Sequence, residues 1–245
     1  MGGGVDVDWS LGLRAAELAL AGGVVWAGLP ELWWHYLGQG VIRRGPAEGG
    51  ALALTFDDGP DPRYTPQILD LLAAHGARAT FFVVGRKVRA HPKLVQRMVA
   101  EGHEVGNHTF SHRHAWWTPP QRVRSEIEEG ERAIEEVAGQ KPRYFRPPWG
   151  GFNLLSGLVA LRRYQVVLWS CEVRDWAAGT TSRRLAEEVL SRAEAGEIVD
   201  LHDSGGAPGA AARTVEALRL ILPGLAARGL RSVTLSELLP GGKCR

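Results

Sequence analysis

Ala51-Leu52-Ala53-Leu54-Thr55-Phe56-Asp57-Asp58-Gly59-Pro60 is the stretch on which the reading of this chain turns. Its first half is a short apolar run, the pattern of a buried strand. Gly59-Pro60 breaks the chain, and Asp61-Pro62 breaks it again. Asp57 and Asp58 therefore sit at the C-terminal lip of a central strand. That lip is where alternating α/β architectures build their sites. Adjacent residues leave a strand on opposite sides, so the pair suggests two jobs, one carboxylate for a metal and one for a proton. On this stretch alone, an Asx-type turn with two solvated aspartates is an equal reading.

Downstream, strand-like and helical patterns alternate. Runs at 51–56, 78–83, 104–106, 143–145, 165–169, 197–201 and 230–233 predict seven strands. Helical patterns fill 65–75, 92–100, 119–138, 182–193 and 210–227. Such a β-α plan predicts an α/β fold with a parallel sheet or barrel. No internal linker divides it, so residues 51–245 read as one domain and residues 1–50 as an N-terminal extension. A chain of 245 residues with 44% apolar content is ordinary for a globular protein. A net charge of +2 gives no case for a nucleic-acid partner. The two cysteines, Cys171 and Cys244, indicate neither a disulfide framework nor a cysteine zinc site.

The extension carries an uncharged apolar run from Leu18 to Leu29, interrupted upstream by Glu17 and Arg14. Alone it is shorter than the ~20 residues a spanning helix needs. Asp6 and Asp8 stand where a signal peptide has positive charge. A membrane-proximal helix with Trp26, Trp33, Trp34 and Tyr36 at the interface is one reading. A trimmed anchor is another, and an amphipathic helix packed on the domain is the third.

Four further stretches carry chemistry. His108 and His112 in Asn107-His108-Thr109-Phe110-Ser111-His112 are four apart, a spacing that on a helical turn lets both imidazoles reach one ion. His114 is placed off that face. One carboxylate with two imidazoles makes a three-ligand site with an open position, the pattern of catalytic zinc. Arg146-Pro147-Pro148-Trp149-Gly150 is a stiffened loop suited to set an arginine against a carboxylate and to aim the Trp149 N–H at a substrate oxygen. Trp169 to Trp176 and Leu201-His202-Asp203 follow the next two predicted strands. Each is unremarkable alone, and a solvated or structural role is the common explanation. Their joint placement at the same ends of successive strands is what argues for a site.

Taken together, these motifs resemble the polysaccharide deacetylases of carbohydrate esterase family four. TFDDGP at 55–60, HTFSH at 108–112, RPPWG at 146–150, ExxDW at 172–176 and LHD at 201–203 occur in that family's order. The resemblance covers about Ala51 to Leu239. It implies an irregular (β/α) barrel of about seven or eight strands, in line with the seven predicted. It also implies one divalent metal ion, zinc first with cobalt or nickel as alternatives, on Asp58, His108 and His112. Asp57 corresponds to the catalytic base with Arg146 as its partner, and His202 to the general acid held by Asp175. Trp149, Trp176 and Leu201 correspond to substrate-binding positions, the last two walling an acetyl pocket. Glu172 departs from the family's usual aspartate. The implied reaction is N-deacetylation of a GlcNAc-containing glycan, peptidoglycan or chitin-like. The expected protein is a monomer at the cell envelope or outside the cell, with residues 10–40 attached to the membrane. An O-acetyl esterase or sugar deformylase with the same apparatus is the alternative enzyme. A non-catalytic glycan-binding protein is the alternative class.

Overall fold

The computed structural model describes residues 9–241, with side chains from Arg14 onward. Asp6, Asp8 and Cys244 lie outside the described residues.

The chain opens with helix α1 (Trp9–Gly23), which continues through π-helical turns at Val24–Gly28 and Glu31–Tyr36. Strands β1 (Val41–Ile42) and β2 (Ala51–Asp57) follow, then helix α2 (Thr65–Ala74) and β3 (Ala79–Val83). Next come α3 (Gly85–Ala90), α4 (Pro92–Ala100), β4 (Glu104–Asn107) and α5 (Pro120–Ala138). Then β5 (Tyr144–Phe145), α6 (Leu154–Arg163), β6 (Gln165–Val167), β7 (Cys171–Glu172), α7 (Ser182–Arg192) and β8 (Ile198–His202) succeed one another. The chain closes with α8 (Ala210–Ala227), β9 (Arg231–Ser232) and α9 (Leu235–Leu238).

The strands run in the order β1-β6-β5-β4-β3-β2-β8-β7, with β9 also pairing β2, and each of these pairs is parallel. Parallel neighbours need crossovers, and the helices supply them. The sheet curls into a half-barrel with helices around it, an irregular (β/α) barrel. Every predicted strand is present; β1 and β7, two residues each, are additional and form its edges. β2 is central and buried along almost its whole length, which is why its sequence is a continuous apolar run. Leu52, Leu54, Phe56, Phe81 and Leu201 join helical side chains in the largest core cluster.

The helix ends follow local rules. Pro92 and Pro120 open α4 and α5, where a missing N–H costs nothing. Gly139, left-handed at φ 72°, closes α5. Asn153 and Ser156 form a capping box that starts α6.

The extension is half docked and half bare. Its C-terminal part sits on the barrel: Trp34 is buried in a notch at Gly157 of α6 and against Phe152. Glu31 Oε2 accepts from the Phe152 N–H at 2.8 Å, and His35 Nδ1 lies 2.8 Å from the Gly150 carbonyl. Its earlier part is exposed, with Leu18 at 74% and Leu20 at 72%. Measured from Leu18 to Leu29 alone, the apolar run falls short of a span. The helix carries it further, and Arg14–Tyr36, 23 residues whose most apolar 18-residue window has a mean hydropathy of 1.2, is long and apolar enough to cross a membrane by length and composition.

Candidate active site

The C-terminal ends of β2, β4, β5, β7 and β8 converge on one cleft of about 480 Å³, a usual size for a ligand site. Asp57, Asp58, His108, His112, Trp149, Trp176 and His202 line it, together with Trp169, Glu172 and Asp200.

Asp57 is the last residue of β2 and Asp58 the first beyond it. Asp58 has a φ of 74°. This left-handed turn brings both carboxylates to the cleft, although neighbours on a regular strand diverge. Among the described residues, the other non-glycine positions with positive φ are Thr109, His112 and Trp149, all in the loops that build the site. Such conformations cost on the order of 1–3 kcal/mol each and persist where surrounding structure imposes them.

The histidine pair is not on a helical turn, as its spacing suggested. After β4 the chain enters a loop in which left-handed Thr109 and His112 turn both imidazoles inward. Asn107 fixes that loop: its amide donates to the Ile127 carbonyl, and its Oδ1 accepts from the Thr109 N–H at 2.9 Å. Gly130 of α5 permits the approach, since a Cβ there would lie 2.4 Å from Asn107 Oδ1. His114 is outside the pair, as expected, and its ring lies beside Trp149 and Trp116.

Asp58, His108 and His112 bring one ligand atom each within 4.8 Å of one another. Asp58 Oδ1 is 2.7 Å from His112 Nε2 and 3.4 Å from His108 Nε2, yet it is buried without a well-directed hydrogen bond. His108 Nδ1 lies 2.7 Å from the Arg146 carbonyl, so Nδ1 carries the proton and donates it. Nε2 then presents its lone pair to the Asp58 side. Burial pushes the Asp58 carboxyl up, but His108 and His112 outweigh it and hold the group well below the usual carboxylate range. Burial also keeps His112 below the usual imidazole value, while Asp57 and Asp58 outweigh it at His108 and raise that ring. An anionic oxygen and two imidazole nitrogens aimed at one point fit a divalent ion of the zinc type. Lys87 Nζ donates to the Asp58 carbonyl at 2.7 Å and to Ser204 Oγ, holding the turn from outside.

Arg146 is fully buried. Its Nη1 donates to Asp57 Oδ1 at 2.7 Å, Asp200 Oδ1 at 2.9 Å and Thr55 Oγ1 at 2.8 Å. Nε and Nη2 donate to the carbonyls of Val167 and Leu168, and the guanidinium stacks 4.2 Å from the Phe82 ring centroid. Across the cleft, Asp175 Oδ1 accepts from His202 Nδ1 at 2.8 Å, while Oδ2 accepts from the His202 N–H and from Thr214 Oγ1. Burial would lower the His202 pKa, but Asp175, then Asp200 and Asp57, raise it well above the usual value.

The arrangement offers a metal-binding corner, a carboxylate fixed by an arginine, and a protonated imidazole fixed by a second carboxylate. That set suits metal-assisted hydrolysis with separate base and acid. Residues 44–165 match the polysaccharide deacetylase family profile. A peptidoglycan-N-acetylglucosamine deacetylase of Bacillus cereus is 44% identical over 77% of this chain and 87% of its own.

The chain belongs to the polysaccharide deacetylase family.

A chitooligosaccharide deacetylase of a Bradyrhizobium strain is 40% identical over 76% of this chain and 89% of its own. Among solved structures, the Bc1960 peptidoglycan N-acetylglucosamine deacetylase, bound to a hydroxamic-type benzamide, superposes with a TM-score of 0.78 at 32% identity. That match covers 86% of this chain and 98% of that one.

In this family member, one residue expected at the cleft is elsewhere. Leu201 is fully buried in the main core cluster and is not among the residues lining the cleft. It lies between Asp200 and His202 on β8, so its side chain takes the opposite face of the strand. The motifs did not single out Trp169, Asp200, Thr55 or Lys87 as site residues. A buried aspartate inside an apolar strand was the available signal for Asp200.

Proposed function

We propose that this chain is a metal-dependent hydrolase that removes N-acetyl groups from a GlcNAc-containing glycan of the peptidoglycan or chitin type. One observation carries the reading: the Asp58–His108–His112 corner, the Asp57–Arg146 pair and the His202–Asp175 pair face a single cleft. The relatives named for N-acetylglucosamine and chitooligosaccharide deacetylation support the substrate class.

Asp58, His108 and His112 would hold the ion, zinc first by donor chemistry. When bound, such an ion polarises the amide carbonyl and makes a water easier to deprotonate. Asp57 takes the proton of the attacking water, held in place by Arg146. In this reading the Trp149 N–H, in a loop held at a left-handed φ of 56°, donates to the developing oxyanion. His202 has Nδ1 committed to Asp175, so Nε2 gives the proton to the leaving amine as the C–N bond breaks. Acetate and a free amino sugar leave. Exposed Trp149 and Trp176 offer ring faces to sugars.

In this reading residues 51–245 form the catalytic domain and residues 1–50 an extension that attaches the enzyme to the envelope membrane through residues 10–40. The apolar helix from Arg14 to Tyr36 supports this, as does the bareness of its first half. The working form is a monomer.

The test is acetate release from N-acetylated chitooligosaccharides and peptidoglycan fragments, beside O-acetylated xylan, after metal stripping and zinc repletion. Release from the N-acetyl panel that depends on repletion supports the proposal. Release from the O-acetyl substrate alone overturns it in favour of an esterase. Fractionation of native cells tests attachment, and full-length protein found wholly in the cytosol refutes it.

A further inference from the structure

Asp200 has no part in the chemistry above, yet it is a carboxylate in the wall of the same cleft. It is the middle residue of β8 and is 4% exposed. Its Oδ1 is 2.9 Å from Arg146 Nη1, the nitrogen that also holds Asp57. With Asp57 and His202 it forms a group whose ligand atoms lie within 4.8 Å of one another. That group has the composition of a second cation site. The place is already taken, because the Arg146 guanidinium bridges its two carboxylates. A divalent ion there would have to sit against a buried positive charge.

We propose that Asp200 is a positioning residue, bracing the Arg146 guanidinium against Asp57 and facing His202 with a second carboxylate. The inference rests on the deacetylase reading for its kinetic consequence and on geometry alone for its structural one. Arg146 is pinned in its plane by the Val167 and Leu168 carbonyls, and Asp57 and Asp200 fix where Nη1 points. A guanidinium held by one carboxylate can pivot; held by two and by Thr55 Oγ1, it cannot without losing buried hydrogen bonds. The facing groups are Thr55 and Asp57 of β2, Arg146 after β5, Glu172 of β7, Asp175 after it, and His202 of β8 itself.

Burial, with repulsion from Asp57 second, pushes the Asp200 carboxyl up to about 8, against the pull of His202 and Arg146. Its charge therefore appears as pH rises through about 8, and from there it adds to the hold on the His202 proton. Glu172 pairs with Asp200 in the β7–β8 register but is exposed. The family pattern has aspartate at that position. In this chain the short, buried carboxylate is on the neighbouring strand.

The experiment compares Asp200→Asn, Asp200→Leu and Glu172→Gln in the full chain loaded with zinc. The first is nearly isosteric and keeps an acceptor for Arg146; the second removes it. The His202 imidazole is titrated by NMR, a readout independent of turnover. Zinc content and kcat are measured in parallel. The expected result is a His202 titration displaced to lower pH in Asp200→Asn, further than in Glu172→Gln, with one zinc retained. Asp200→Leu is expected to lose on the order of 10–10² in kcat with KM nearly constant, the scale of a misplaced catalytic group. A His202 titration that stays at the wild-type position in Asp200→Asn overturns the proposal. So does a displacement no larger than that of Glu172→Gln, or an undiminished kcat in Asp200→Leu. Wild-type protein inactive on every glycan refutes the functional reading instead, and the NMR comparison then still decides the role of Asp200.

Discussion

Replacing Arg146 with methionine removes a buried cation while keeping an unbranched side chain of similar reach. Five described hydrogen bonds go with it: one each to Val167, Thr55, Asp57, Asp200 and Leu168. Asp57 and Asp200, each with a side chain 4% exposed, then face one another without their shared counter-charge. Removing one partner of a buried ion pair costs about 3–5 kcal/mol, because the remaining charge stays desolvated. Solvent screening gives little relief at that burial. For a domain of this size each kcal/mol lowers Tm by about 2–4 °C, so Arg146→Met is expected to melt about 6–20 °C below wild type. The assay is thermal unfolding by circular dichroism, both proteins loaded with zinc and checked for equal metal content. A melting temperature within about 3 °C of wild type refutes the bridging role assigned to Arg146.

Asp57→Asn is expected to keep its zinc and lose on the order of 10²–10⁴ in kcat, the usual worth of a general base; steady-state kinetics at equal metal content check this. With His202 as the proposed acid, the alkaline limb of kcat/KM is expected to be its own. Its pKa is raised in the folded protein, so the donating form persists below that raised value and is lost as pH rises through it. A pH–rate profile of His202→Ala should lack that limb. Gly157→Val places a side chain where Trp34 packs, a Cβ there lying 2.0 Å from the indole Cζ3. It should release the extension from the barrel, and limited proteolysis should cut residues before Val41 faster than in wild type.

The strands were legible because β2, β3 and β8 are buried, and burial of parallel strands writes itself as unbroken apolar runs. β1 and β7 were not, since two residues carry no periodicity. Helix α6 was also missed. Its sequence Leu154-Leu155-Ser156-Gly157-Leu158-Val159-Ala160 is apolar on more than one face, partly because Gly157 and its neighbours receive Trp34 from the extension. Asp58, His108 and His112 come together as the motifs suggested, but the helical turn assumed for His108 and His112 is a loop set by left-handed Thr109 and His112. No propensity predicts threonine there; Asn107 and Gly130 impose it at Thr109. Leu201 was assigned to the cleft by its motif and went to the core by strand alternation. The same alternation turned Asp200 inward, where only the folded sheet could show that Arg146 awaits it.

The central claim is that one divalent ion on Asp58, His108 and His112 is required for deacetylation. Zinc titrated into stripped protein, with metal content and acetate release followed in the same samples, tests it most directly. The account predicts that acetate release rises in proportion to bound zinc, saturates at one ion per chain, and is lost together with occupancy in His112→Ala. Stripped protein that releases acetate at the full rate, or His112→Ala that binds and hydrolyses as wild type does, would contradict it.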